Sequence, residues 1–163
     1  MIPGLSRRAL IAVPALLAAP WLHASEHEVA LQVTGRVKSG SVRLSLADLK
    51  KLPQLSFVTN TPWTREPHMY AGPLLRDVLV AAGADLSATT IRAVALNDYQ
   101  ISIPLKDALS YPVIVAHQRD GQPMPVRDRG PLFIIYPFDS DADLQSTRFY
   151  QRAIWQLKSI QVD

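Results

Sequence analysis

Apolar and polar positions alternate along the chain in short runs that change period often. From His27 to Thr34, Val29, Leu31 and Val33 occupy every second position, which predicts a strand with one buried face that stops at Gly35. A second short strand, Val42 to Leu44, follows a Ser39-Gly40 turn. Ser45-Leu46-Ala47-Asp48 has the form of a capping box, so Leu46, Leu49 and Leu52 begin a short helix that Pro53 ends. Gln54 to Thr59 reads as a strand, and residues 61–68 as a polar loop bracketed by prolines. Gly72-Pro73 is expected to open the clearest helix, with Leu74, Leu75, Val78, Leu79 and Ala82 as its buried stripe and Gly83 at its exit.

Further on, Thr90 to Leu96 and Tyr99 to Ile103 read as two strands turning over Asn97-Asp98. A short helix at 104–109, a buried strand Pro112 to Ala116, a turn at Asp120-Gly121 and a second apolar strand Pro131 to Tyr136 follow. The closing segment carries register information. Trp155 and Leu157 share one parity and Ile160 and Val162 the other, so a single buried face requires a bulge near Lys158-Ser159. Strands outnumber helical residues and no regular strand-helix-strand alternation appears. The pattern predicts an α+β domain, β-rich, with mixed sheets and short helices.

The 163 residues are enough for one ordinary domain, and a composition 48% hydrophobic and 19% charged excludes a disordered chain. There is no cysteine. Disulfide frameworks, thiolate metal sites and a thiol nucleophile are therefore excluded. The N-terminal residues have the order of a secretory signal: Arg7 and Arg8, an uncharged stretch from Ala9 to Leu22, then a small residue at a cleavage point after Ala24. The domain is thus expected to be residues 25–163 behind a 1–24 leader, and the protein periplasmic or secreted. The stretch is shorter than the ~20 residues a membrane helix needs, so no stable membrane span is expected after cleavage, with an uncleaved anchor as the alternative. Ser6-Arg7-Arg8-Ala9-Leu10-Ile11 also resembles a twin-arginine export signal, which leaves two routes open. Of the 17 basic and 14 acidic residues, Arg7 and Arg8 lie in the leader, so cleavage leaves a net charge of about +1 and no electrostatic case for nucleic acid.

Dinucleotide, P-loop, nucleophile-elbow and zinc-hydrolase motifs are absent. His23 and His27 flank the expected cleavage point and carry no functional weight. Asp139-Ser140-Asp141-Ala142-Asp143 opens like a calcium loop, but Leu144 and Tyr150 stand where that loop needs Gly and Glu, which favours a solvated acidic loop. Tyr99, with Ser102 nearby, stands near a strand end, where its phenol either protonates or binds a ligand or is simply a satisfied core hydroxyl. Arg127 and Arg129 flank Asp128 in a turn, suited to an anion or neutralised by that aspartate. Trp63, Arg65 and His68 form another candidate polar rim or an exposed loop.

Several segments together resemble the molybdopterin-binding domain of sulfite-oxidase-type oxidoreductases, from about Val29 to Val162. Tyr99-Gln100-Ile101-Ser102-Ile103-Pro104-Leu105 is similar to the family's Y-x-x-S-I-P-L segment, and Gly72-Pro73-Leu74-Leu75-Arg76-Asp77-Val78-Leu79 to its G-x-x-L-x-D-V-L helix. Pro112 to Ala116, Asp120-Gly121-Gln122-Pro123-Met124-Pro125 and Asp128-Arg129-Gly130-Pro131 resemble its apolar strand, N-G-x-P-L-P turn and D-H-G-x-P loop. The resemblance implies a sulfite-oxidase-like fold, and Tyr99 matches the family's active-site tyrosine. It also implies a molybdenum-ligating cysteine near Asn60, where Thr59, Asn60 and Thr61 stand instead. The family's histidine is Arg129 here. Its two phosphate-holding basic residues fall near Phe133 and Ile154.

The expectation is therefore an exported domain that binds a small anionic ligand or a periplasmic or membrane protein partner without the family's redox chemistry. Trp63, Arg65, Tyr99, Ser102, Arg127 and Arg129 would line its site, with Tyr99 as the catalytic candidate. No metal ligand and no cofactor are expected. The alternative is a molybdopterin-dependent oxidoreductase whose metal is held without cysteine, by water or by an oxygen of Asn60 or Thr61.

Overall fold

A computed structural model describes residues 28–163. The expected leader, His23 and His27 lie outside the described residues. The chain forms β1 (Val29–Gly35), β2 (Ser41–Ser45), α1 (Leu46–Lys51), β3 (Gln54–Thr59), β4 (His68–Pro73), α2 (Leu75–Ala81), β5 (Thr90–Ala95), β6 (Gln100–Pro104) and α3 (Leu105–Ser110). Then come β7 (Ile114–Ala116), β8 (Gln118–Arg119), β9 (Gln122–Pro123), β10 (Phe133–Ile135), α4 (Thr147–Tyr150), β11 (Ile154–Trp155) and β12 (Leu157–Val162). The architecture is mixed α+β, mostly strands in three sheets with short helices.

The five-stranded sheet has the order β2-β1-β12-β5-β6 and is mixed, because β1 and β12 run parallel while the other neighbours are antiparallel. A four-stranded sheet, β3-β4-β8-β9, and a three-stranded one, β11-β10-β7, complete the domain. Leu31 and Val33 of β1, Ile91 of β5, Leu75 and Val78 of α2 and Phe133 of β10 belong to one continuous buried core. That continuity makes the three sheets a single packing unit.

Local chemistry explains the boundaries. Ser45 Oγ accepts from the Asp48 amide and Asp48 Oδ2 accepts from the Ser45 amide, both at 3.1 Å, closing the capping box that starts α1. The hydrogen bonds from Ser45 pull the Asp48 carboxyl down to about 2. The helix expected to open at Gly72-Pro73 begins later, at Leu75, because Gly72 and Pro73 are the last residues of β4 and pair with β3. A Cβ at Gly72 would collide with the backbone carbonyl of Val115, so glycine is what allows β4 to lie against β7. Leu75 then donates its amide to Val113 O at 2.8 Å.

The closing segment is two strands in two sheets. Trp155 ends β11, Gln156 takes a left-handed φ of 53°, and β12 starts at Leu157 in the five-stranded sheet. The register against β5 shifts between Leu157 and Ser159, placing a bulge at the expected position and burying Leu157, Ile160 and Val162 together. The acidic segment from Asp139 forms two 3-10 turns. Asp141 accepts from the Asp143 amide at 2.9 Å, and the Asp139 carboxylate is committed to Asn60.

Candidate ligand cleft

Three separate stretches of chain converge on a cleft of about 430 Å³: the loop between β3 and β4, the β5–β6 turn, and the segment from the end of α4 through β11. The first supplies Trp63, the second Asn97 and Tyr99, the third Tyr150, Gln151 and Trp155.

The turn is firmly built. Asp98 takes φ 64° and its carboxylate meets the Lys158 ammonium. Asn97 Oδ1 accepts from the Tyr99 amide at 3.2 Å, and the Ala95 amide donates to Tyr99 O at 2.9 Å. The Tyr99 ring is thereby held outward, 54% exposed, so it is a wall of the cleft and not a core residue.

Another wall of the cleft is aromatic. Trp63 meets Trp155 edge-on at 5.3 Å and Tyr150 at 6.2 Å, and rests on buried Phe133 and Phe138, each at 6.3 Å. Edge-to-face contacts of this kind add to simple burial and hold the rings in fixed orientation. Arg129 stands beside this wall. Its Nη2 donates to Trp63 O at 3.0 Å, and its guanidinium carbon lies 5.7 Å from the centre of the Trp155 ring. Asp128 makes no ion pair with it, because the Asp128 carboxylate is taken by a bidentate pair with Arg119. That pairing holds Asp128 below the usual carboxylate range. Among the described residues Arg129 has no carboxylate partner.

The six candidates from the sequence are thus divided. Trp63 and Tyr99 both line the cleft, and Arg129 is not in its lining but lies against Trp63 and Trp155, which are. Arg65, Arg127 and Ser102 are exposed and do not line it; Ser102 sits on β6 opposite Arg92. His68 lies apart from the cleft, where its Nδ1 pairs with Asp120 Oδ2 at 2.7 Å. Sequence reasoning missed Tyr150, Gln151 and Trp155 as site residues. Trp155 carried only a strand-parity signal, and the break at Gln156 that turns it toward Trp63 has no motif.

Thr59, Asn60 and Thr61 are each engaged in local hydrogen bonds. Asn60 donates its backbone N and its Nδ2 to Asp139 Oδ2 at 2.7 and 2.9 Å, and Asp139 N donates to buried Thr59 Oγ1 at 3.3 Å. Thr61 Oγ1 is 2.9 Å from Thr64 Oγ1.

The family model for the oxidoreductase molybdopterin-binding domain matches residues 17–139. The chain belongs to that family. The sulfane dehydrogenase SoxCD from Paracoccus pantotrophus has a similar structure, with a TM-score of 0.65 at 15% identity over 85% of this chain. This chain spans 39% of the SoxCD chain, and at that identity the likeness speaks to the fold alone. No curated protein matches the sequence.

The residues present do not fit the way the molybdopterin-binding family holds its metal. There is no thiolate anywhere in the chain. At the corresponding position the Asn60 nitrogens hold the Asp139 carboxylate and the Thr59 and Thr61 hydroxyls are engaged by neighbouring groups, so a negative charge stands where an anionic dithiolene would approach. The two positions that resemble the family's phosphate-holding bases are Phe133 and Ile154, both buried apolar side chains. Neither side chain offers an anionic phosphate a positive charge. Among the described residues, no group of three His, Asp or Glu side chains is arranged to hold a metal.

Proposed function

We propose that this molybdopterin-family domain is an exported binding module that takes a small anionic ligand in the cleft between Tyr99 and the Trp63–Trp155 wall, without metal-based redox chemistry. One observation carries the reading: where the family's thiolate is expected stand Thr59, Asn60 and Thr61, with Asn60 holding Asp139 and Thr61 holding Thr64, while the neighbouring cleft stays open. Lost metal ligation with a retained cavity is the combination expected of a scaffold kept for binding. The guanidinium of Arg129, which makes no ion pair among the described residues, supports an anionic ligand.

The deciding experiment is mass spectrometry of protein exported by its native host, read for pterin and metal together. The expected outcome is neither; about one molybdenum per chain with its pterin overturns the proposal. A protein partner is a second reading, favoured by the outer edge of β3. That strand carries no charge and, with β4 beside it, exposes Val58 (59%) and Met69 (39%) as a cross-strand pair. Capture of one periplasmic protein by the native chain, lost in Val58→Lys, supports it; equal capture by both chains removes it.

A further inference from the structure

We infer that the ligand is a flat aromatic carboxylate, its ring held between Tyr99 and the Trp63–Trp155 wall and its charge met by Arg129. This deepens the proposed function and rests on its reading of the cleft as a binding site. The volume falls within the ~300–1,000 Å³ of small-molecule sites, and the lining holds aromatic rings, alkyl groups and two amides but no charged side chain. Such walls favour a planar apolar body. Among the described residues Tyr99 makes no ring-ring contact with another aromatic side chain, so its face is available to a stacked ligand.

Aromatic walls without carboxylates also suit quaternary ammonium ions. Arg129 decides against a cation, because it already lies over Trp155 and would repel a second positive charge in the same field. Its guanidinium has five N–H donors, of which the bond to Trp63 O uses one, and no carboxylate among the described residues claims the rest. A carboxylate on the ligand supplies the missing partner, with a geometry that guanidinium binds in bidentate fashion. Asn97, whose side-chain oxygen is spent on the Tyr99 amide, keeps its NH2 donors for ring substituents or a second acceptor.

The test is tryptophan-fluorescence titration of the mature chain with 2-naphthoate, 2-naphthylmethanol and tetramethylammonium. Naphthoate is expected to bind at least tenfold more tightly than the alcohol, with an affinity that falls as salt rises, while the alcohol's does not. Tyr99→Ala, at an exposed position, should weaken both aryl probes about fivefold. Arg129→Asn, chosen because asparagine tolerates the left-handed backbone at φ 67°, should abolish only the advantage of naphthoate. Equal binding of naphthoate and alcohol, tighter binding of the cation, or no binding of any probe at millimolar concentration overturns the aromatic-acid assignment. Failure of every probe to bind metal-free protein removes the ligand class alone, whereas pterin and molybdenum in the native protein overturn the underlying binding-module reading itself.

Discussion

Single residues carry most of what the structure adds. Asp107 is almost wholly buried and serves two partners: Tyr136 donates its hydroxyl to Asp107 Oδ2 at 2.9 Å, and Arg152 Nη1 donates to the same oxygen at 2.8 Å. Burial first, and the Asp107 charge second, push the Tyr136 phenol well above its ordinary range, so it stays a proton donor. Replacing Asp107 by Ala strands a half-buried guanidinium and a buried hydroxyl. The expected cost is about 3 kcal/mol, read as a lower urea midpoint with an unchanged slope. Buried His117 donates from Nε2 to Gln54 Oε1 at 2.8 Å, and burial, helped by the Lys50 charge, lowers its pKa below 6.5. The folded state therefore resists a proton that the unfolded chain accepts, and stability should fall as pH drops below about 6.5. Asp48, Asp120 and Asp128 are lowered from 3.8, so they act in a separate, more acid window. Melting temperatures between pH 7.5 and 5.5 should decline more steeply for the native chain than for His117→Gln; parallel curves would refute the assignment. None of these partnerships was legible in the sequence, since Asp107, Tyr136 and Arg152 belong to segments with no shared motif. Tyr99 was legible because a family segment frames it, and Trp63 because it stands in a polar loop.

Elements were easier to read than partners. The capping box at Ser45, the exit at Gly83 and the bulge in β12 follow from rules that act over a few residues, and the structure has each of them. The failures share a cause: a neighbouring strand overrode a local signal. Gly72-Pro73 has the composition of a helix start, yet the β3 ladder claims both residues, and β4 displaces what reads as the end of a polar loop. Trp155 and Leu157 read as one alternating strand, yet they serve different sheets. Gly72→Ala tests the tertiary override directly. The added methyl meets backbone, which cannot yield as a side chain can, so a loss of at least about 2 kcal/mol is expected in chemical denaturation. An alanine at exposed Gly121, where no atom lies within 4 Å, should cost less, although its φ of 75° still carries some strain.

At the scale of the molecule, the order of segments identified the fold while their assembly into three sheets stayed hidden. Sequence order is local information; pairing β12 with both β1 and β5 is not, because it joins residues more than a hundred positions apart to a hairpin in the middle of the chain. The same holds for the cleft, whose walls come from three distant stretches. The parallel seam of β1 with β12 also makes one strand the link of the largest sheet: β12 alone joins the β1–β2 hairpin to the β5–β6 hairpin. A chain shortened before Leu157 is therefore expected to leave both hairpins with an open inner edge, read as faster amide exchange in β1 and β5.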